Sequence, residues 1–303
     1  MLFNSFAYLL FLPLVCAVYY ILPQKIRYLW LLCASYYFYM QWNALYALLL
    51  FSCTVITYAG AVALPALKRT RTKKLCLCVC IVINLAILGY FKYFEFAVHV
   101  FSKICIFLHL THTAHSVSIL LPVGISFFTL QALGYLIDVY RNTIAPEKNF
   151  FRYALFVSFF PQLVAGPIER SKNLLHQLKE PKPLRYDTVR YGLWLILYGL
   201  FLKLVISDNL SPLVDAVYKA PQDYQGAYIA IATVCFAFQI YCDFYAYSII
   251  AKGSALLFGI SLMNNFEAPY YSYSVKEFWR NWHISLSSWF KDYVYIPLGS
   301  NRS

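Results

Sequence analysis

The stretch from Ser274 to Ser303 gathers three of the chain's six tryptophans, Trp279, Trp282 and Trp289, around a single histidine, His283. Ser274-Val275-Lys276-Glu277 has the spacing of a capping box, in which the serine hydroxyl accepts from the N3 amide and the N3 glutamate reaches back. Tyr273 and Phe278 flank it as a hydrophobic staple would. Beyond the cap, Trp279, Trp282, His283, Leu286, Trp289, Phe290 and Tyr293 recur at steps of three and four, which predicts one amphipathic helix with His283 inside its aromatic stripe. Arg280, Asn281, Ser287, Ser288, Lys291 and Asp292 fall on the other side. An imidazole so placed can take a proton from a hydroxyl near neutral pH, the task of a general base. A histidine hydrogen-bonded in a packed core is the alternative reading of the same pattern.

Four carboxylates, Asp138, Glu169, Asp208 and Asp243, lie against long apolar runs. Such a charge inside a bilayer costs several kcal/mol unless it faces a cavity or a partner. Asp138 and Asp208 border Arg141, Lys203 and Asn209, so cap and cavity readings stand level for both. Asp243, between Tyr241-Cys242 and Phe244-Tyr245, points to a buried role. Glu169 precedes Arg170, and an ion pair competes with a substrate contact there. His109, His112 and His115 are spaced by three, yet no fourth ligand lies nearby, so no metal site is expected. The nine cysteines show neither disulfide nor zinc spacing and read as membrane packing.

The elements that must position these groups are apolar helices. Only 13% of residues are charged against 61% hydrophobic, with mean hydropathy +0.59, which excludes an ordinary soluble domain. The formal charge of +12 comes from basic residues gathered between apolar runs, as in cytoplasmic membrane loops, so no nucleic acid is expected as a partner. Phe3 to Leu22 predicts one uncleaved span and Tyr28 to Leu67 two, broken near Gln41-Trp42-Asn43. Leu75 to Phe91 predicts a fourth. Ile104 to Ile137 reads as a short segment followed by a span, and Tyr153 to Ile168, with Pro161 and Gly166, as a broken or re-entrant segment. A basic connector follows from Arg170 to Arg190. Tyr191 to Ser207 and Tyr224 to Tyr241 are further spans, and Ala251 to Met263 is another span or lies shallow. The total is eight to nine membrane segments plus re-entrant and amphipathic helices, an all-α polytopic protein forming one domain over residues 1–303. The loop with Lys25 and Arg27 and the loop with Lys68, Arg69, Arg71, Lys73 and Lys74 place the N-terminus outside and Lys68 to Lys74 in the cytoplasm.

Several stretches resemble the membrane-bound O-acyltransferase (MBOAT) family, in the branch of the alginate O-acetylation protein and the D-alanyl transfer protein of teichoic acids. They are MLFNSFAYLLFLPLV at the start, LPVGISFFTLQALGYLIDVYR (Leu121 to Arg141), FFPQLVAGPIER (Phe159 to Arg170), KLVISDNLSPLVDAVY (Lys203 to Tyr218) and the run from Asn264 to Arg302 containing EFWRNWHISLS. They occur in order through the whole chain. One departure is Tyr245-Ala246-Tyr247-Ser248-Ile249-Ile250-Ala251, where the family usually reads SGYSDIA.

The resemblance implies a ring of tilted helices in the plasma (inner) membrane and acyl transfer, most simply of acetyl, to hydroxyls of an extracellular polysaccharide such as alginate. It implies a cytoplasmic thioester donor, acyl-CoA or an acyl carrier protein, with no tightly bound cofactor, and a periplasmic or extracellular partner that carries the acyl group or the polymer. Membrane lipid surrounds the whole. His283 matches the first of two family histidines, and Asp243, Trp279, Arg280, Trp282 and Asp292 are expected as supporting positions. The second family histidine, which the resemblance implies is the catalytic one with His283 as a chamber residue beside it, belongs to a later apolar motif beyond Ser303, so the chain is expected to be a C-terminally truncated member. Three other readings stand beside this one: D-alanyl transfer to teichoic acid, a non-catalytic membrane scaffold, and a transporter for a lipid-linked sugar, which would be favoured by paired broken helices in inverted repeats that the sequence does not show.

Overall fold

The computed structural model describes residues 1–108, 121–164, 166–180 and 183–299. His109, His112 and His115 lie outside them. Every regular element among the described residues is a helix, with no strand. Helices α1 (Phe6–Ile21), α2 (Arg27–Met40) and α3 (Ala44–Ala66) open the chain. The break expected near Gln41 is there, because the Asn43 side chain caps α3 by accepting from the Leu45 amide at 2.9 Å.

Helix α4 (Thr70–Phe107) does not stop at Phe91 as hydropathy suggests. Lys92 and Glu95 end the apolar run, but no proline breaks the hydrogen-bond ladder between Phe91 and Phe107, and the helix continues. Helix α11 (Gly226–Leu256) likewise absorbs two expected segments into one. Between them lie α5 (Ile125–Tyr140), α6 (Phe150–Ser158), α7 (Phe160–Leu163), α8 (Ser171–Lys179), α9 (Tyr186–Phe201) and α10 (Asp208–Lys219), the last two joined by a π-helical turn at Leu202–Ser207. Four stretches are long and apolar enough to cross a membrane: Ala44–Ala66, Thr70–Cys105, Tyr186–Lys219 and Gly226–Leu256. The eight to nine segments expected from hydropathy become these four together with shorter apolar helices such as α1 and α5.

The broken segment predicted from Pro161 and Gly166 is the centre of the core. Every residue from Tyr153 to Phe160 is buried, and the helix interrupts at Phe159 between α6 and α7. A helix end buried this deeply needs partners for its freed backbone groups. Side chains supply them: Gln131 and Gln162 donate to the Phe156 carbonyl at 2.6 and 3.0 Å, and the Phe160 amide donates to the Ser35 hydroxyl at 3.1 Å. Helices α9 and α11 make the most extensive helix pair. Gly192 and Gly253 face each other so closely that a Cβ on Gly253 would meet the Gly192 carbonyl oxygen at 2.6 Å. Small residues at the crossing thus allow backbone contact, as in membrane helix pairs. Ala246, Ile249 and Ala251 of the departed motif are buried, so the substitution of Ile249 for an acid fills this face with apolar contact.

Candidate active site

The single helix expected from Ser274 onward is two helices. α12 (Val275–Asn281) and α13 (Ile284–Phe290) are separated by Trp282 in extended conformation and His283 at φ 45°, ψ 54°, the left-handed region. The three-four spacing runs unbroken through this point and no glycine or proline marks it, which is why the sequence reads as continuous. A neighbouring segment makes the break. The Ile284 amide donates to the Asn265 carbonyl at 2.8 Å and the Glu267 amide to the Asn281 carbonyl at 3.1 Å, replacing the helical ladder on both sides. Buried Ser285 donates to the Asn265 side-chain oxygen at 2.5 Å. A left-handed non-glycine residue costs on the order of 1–2 kcal/mol, a strain that these three bonds hold in place. The capping box forms, with the Glu277 amide donating to the Ser274 hydroxyl at 3.1 Å, but the Glu277 carboxylate accepts from the Tyr273 amide and not from that of Ser274. Tyr273 is fully exposed, so the staple does not form.

The strained backbone aims the His283 ring between three elements. Phe244 of α11 meets it edge-on at 4.7 Å between centroids, with Phe127 of α5 at 6.3 Å and Phe266 of the preceding segment at 6.5 Å. Its Nε2 is buried and has no hydrogen-bond partner among the described residues. Burial among these rings pushes the imidazole pKa down to about 4. The ring is therefore neutral at pH 7 with one nitrogen uncommitted, the protonation state a base needs, while the same burial makes it a weaker base than a solvated imidazole. Beside it Trp282 packs against Phe266 at 5.0 Å, Phe278 at 5.4 Å and Tyr241 at 6.0 Å, walling one side.

The other sequence candidates stand apart from His283. Trp279 and Arg280 are exposed on the outer face of α12. Asp243 is not buried: while its neighbour Phe244 turns to His283, Asp243 is half-exposed and pairs with Lys203 at 2.6 Å, which also binds Asp208 at 2.7 Å. This ion-pair node ties the π-helical turn to α11. Asp292 lies past the far end of α13 and pairs with Arg170 at 2.8 Å, so Arg170 does not pair with Glu169. The Arg170 guanidinium also lies over the Tyr293 ring at 4.7 Å, and Trp289 donates to the Leu130 carbonyl at 2.9 Å. Gly134 on α5 permits this approach, since a Cβ there would stand 3.0 Å from Trp289 Nε1. Buried Glu169 accepts from the Met263 amide and from Asn173 at 2.7 Å, and burial holds its carboxyl above the usual carboxylate range. It thereby fixes the segment that carries Asn265. Asp138 accepts from Ser171 at 3.1 Å.

Sequence reasoning missed Phe127, Phe244, Asn265, Phe266 and Ser285. Asn265, Phe266 and Ser285 lie inside the run from Asn264 that resembles the family and Phe127 inside the run from Leu121, so of the five only Phe244 falls outside those stretches.

The sequence profile of the membrane-bound O-acyltransferase family matches residues 145–303. The chain belongs to that family. His283 and the whole α12–α13 break fall within the matched region. Among its relatives, a probable alginate O-acetylase AlgI of Pseudomonas aeruginosa is 39% identical over 100% of this chain and 58% of its own length. A peptidoglycan O-acetyltransferase of Helicobacter pylori is 35% identical over 90% of this chain and 56% of its own. A teichoic acid D-alanyltransferase of Streptococcus thermophilus is 30% identical over 60% of this chain and 45% of its own. The chain thus spans less than two thirds of the length of these relatives. Family membership and the apolar helices make it a multi-pass membrane protein.

Proposed function

We propose that the protein is an O-acyltransferase that moves an acyl group, acetyl in the first instance, from a thioester donor to hydroxyls of a polysaccharide such as alginate. The observation that carries this reading is His283: neutral, with Nε2 unpaired, and held in a strained left-handed break by three hydrogen bonds. As the acceptor oxygen attacks the thioester carbonyl, His283 Nε2 takes the hydroxyl proton. A C–O bond forms, the C–S bond breaks and the thiolate leaves, collecting the proton to regenerate the neutral ring. The aromatic wall of Phe127, Phe244, Phe266 and Trp282 excludes water from that exchange. Acyl-CoA or an acyl carrier protein supplies the donor from the cytoplasmic side, and a periplasmic or extracellular partner takes the product onward. The protein resides in the inner membrane, N-terminus outside and Lys68–Lys74 inside. Asp243, Trp279, Arg280 and Asp292 act at a distance from the reacting atoms, in ion pairs and surface contacts.

Alginate is preferred as acceptor because the alginate O-acetylase relative aligns over 100% of the chain and the D-alanyltransferase relative over 60%. The test is acetyl transfer by the full-length protein in membranes supplied with alginate or with teichoic acid. His283→Ala should lower transfer by roughly a hundredfold or more, the loss expected for removal of a general base. Transfer undiminished in that variant refutes the role of His283, and transfer to teichoic acid alone refutes the acceptor.

A further inference from the structure

A cavity of about 350 Å³, sharing no lining residue with the His283 site, opens between the α1–α2 turn, α6 and α8. Four cations line it: Lys25, Arg27, Arg152 and Lys179, together with Tyr28 and Gln177. No carboxylate lines it. The nearest, buried Glu147, lies 3.3 Å from Arg152 and 2.9 Å from Lys179, one anion against four cations. Like charges around one cleft repel, a cost that the exposure of Lys25 and Lys179 lessens and that a bound anion would remove. Two of these cations are also held in fixed positions. Arg27 donates to the Leu22 and Tyr20 carbonyls at 3.0 and 3.3 Å and lies over the Tyr19 and Tyr20 rings, while Arg152 lies over the Tyr28 ring at 5.4 Å. Arg152 Nε is buried and has no partner among the described residues. An unpartnered guanidinium N–H on a residue lining a cavity of net positive charge is a group that an anion would satisfy.

We propose that this cavity binds the phosphate group of an anionic phosphate ester. A guanidinium fork matches phosphate oxygens in two-point geometry, and Lys25 and Lys179 add point charges at the rim. The volume falls within the range of small-molecule sites. Its place supports the assignment. Lys25 and Arg27 sit at the turn between the apolar helices α1 and α2, and Lys179 ends the basic helix α8. Both segments carry the positive charge of cytoplasmic loops, and the fold brings them together. Basic pockets between membrane helices on that side take anionic headgroups. Two sources carry the same chemistry, a lipid headgroup and a soluble phosphate ester.

The experiment is thermal melting of the full-length protein in a neutral maltoside detergent, titrated with dihexanoylphosphatidylglycerol, dihexanoylphosphatidylcholine or inorganic pyrophosphate. Melting temperature should rise with the anionic lipid and not with the zwitterionic one. A rise with pyrophosphate as well assigns the site to soluble phosphates, and a rise with phosphatidylglycerol alone assigns it to lipid. The double variant Lys25→Gln, Lys179→Gln should weaken binding roughly thirtyfold, the loss of two phosphate–ammonium contacts. Lys25→Gln alone, a change at an exposed residue, should weaken it roughly fivefold and decides the matter if the double variant does not fold. Absence of any rise in the wild type, or an equal rise in the Lys25→Gln variant, overturns the proposal.

Discussion

The break at His283 depends on Asn265, and its removal offers a test that needs no substrate. Asn265→Ala deletes the acceptor of the Ser285 hydroxyl, a 2.5 Å bond between two side chains that are both buried. Leaving a buried hydroxyl without its acceptor costs about 1–3 kcal/mol. The backbone bond from Ile284 to the Asn265 carbonyl survives, so the damage is local. A cost of about 2 kcal/mol raises the local opening equilibrium by roughly thirtyfold. Hydrogen exchange read by mass spectrometry on the full-length protein in detergent should therefore accelerate by that factor for amides of residues 283–287. Amides of the buried segment 153–160 should not change. Ser285→Ala should give a comparable acceleration, and the double variant should be less than additive, because the two changes remove one bond. Unchanged exchange at 283–287 in Asn265→Ala, or full additivity in the double variant, refutes the claim that this pair holds the left-handed turn.

The neutral state of His283 sets a pH dependence. With a folded pKa of about 4 against ~6.5 unfolded, the unfolded chain binds more protons in between, so stability is complete above about pH 6.5 and declines as pH falls towards 4. The decline amounts to at most about 3 kcal/mol, and His283→Phe should flatten it in melting curves taken from pH 7.5 to 4. Gly134→Leu should lower stability by about 1–3 kcal/mol through overpacking against Trp289 and Tyr293, seen as a shift of tryptophan emission and a lower melting temperature. Gln162→Leu removes one of the two donors to the Phe156 carbonyl and its bond to Gln131 at 3.1 Å, and should cost about 1–2 kcal/mol in the same assay.

Much of the architecture was legible because the signals were local. The asparagine that starts α3 caps its own helix, and Pro161 with Gly166 marked the interruption that became the core. Spans were misjudged where charge was taken for a terminus: Lys92 and Glu95 change what surrounds α4 without breaking its ladder. The His283 break was illegible for a different reason. Its cause is Asn265, and the pairing between those segments belongs to the tertiary fold, while the local spacing still satisfies a continuous helix. Asp243 failed in a related way. Apolar neighbours in sequence suggested burial, but on a helix they occupy other faces, and the carboxylate turns to Lys203. Phe244 was missed because an aromatic residue in an aromatic chain carries no mark of its own.

Helix α4 has a consequence for how the molecule stands in a bilayer. Its 38 residues extend about 57 Å, nearly twice a hydrocarbon layer of ~30 Å. Its longest uncharged run is Leu75 to Phe91, about 26 Å of helix, with Lys73 and Lys74 at one limit and Lys92 and Glu95 at the other. Sliding in either direction would draw charge into hydrocarbon, so α4 works as a depth gauge. It fixes the height at which its packing partners α3 and α5 sit, and through Phe127 on α5 the height of the imidazole.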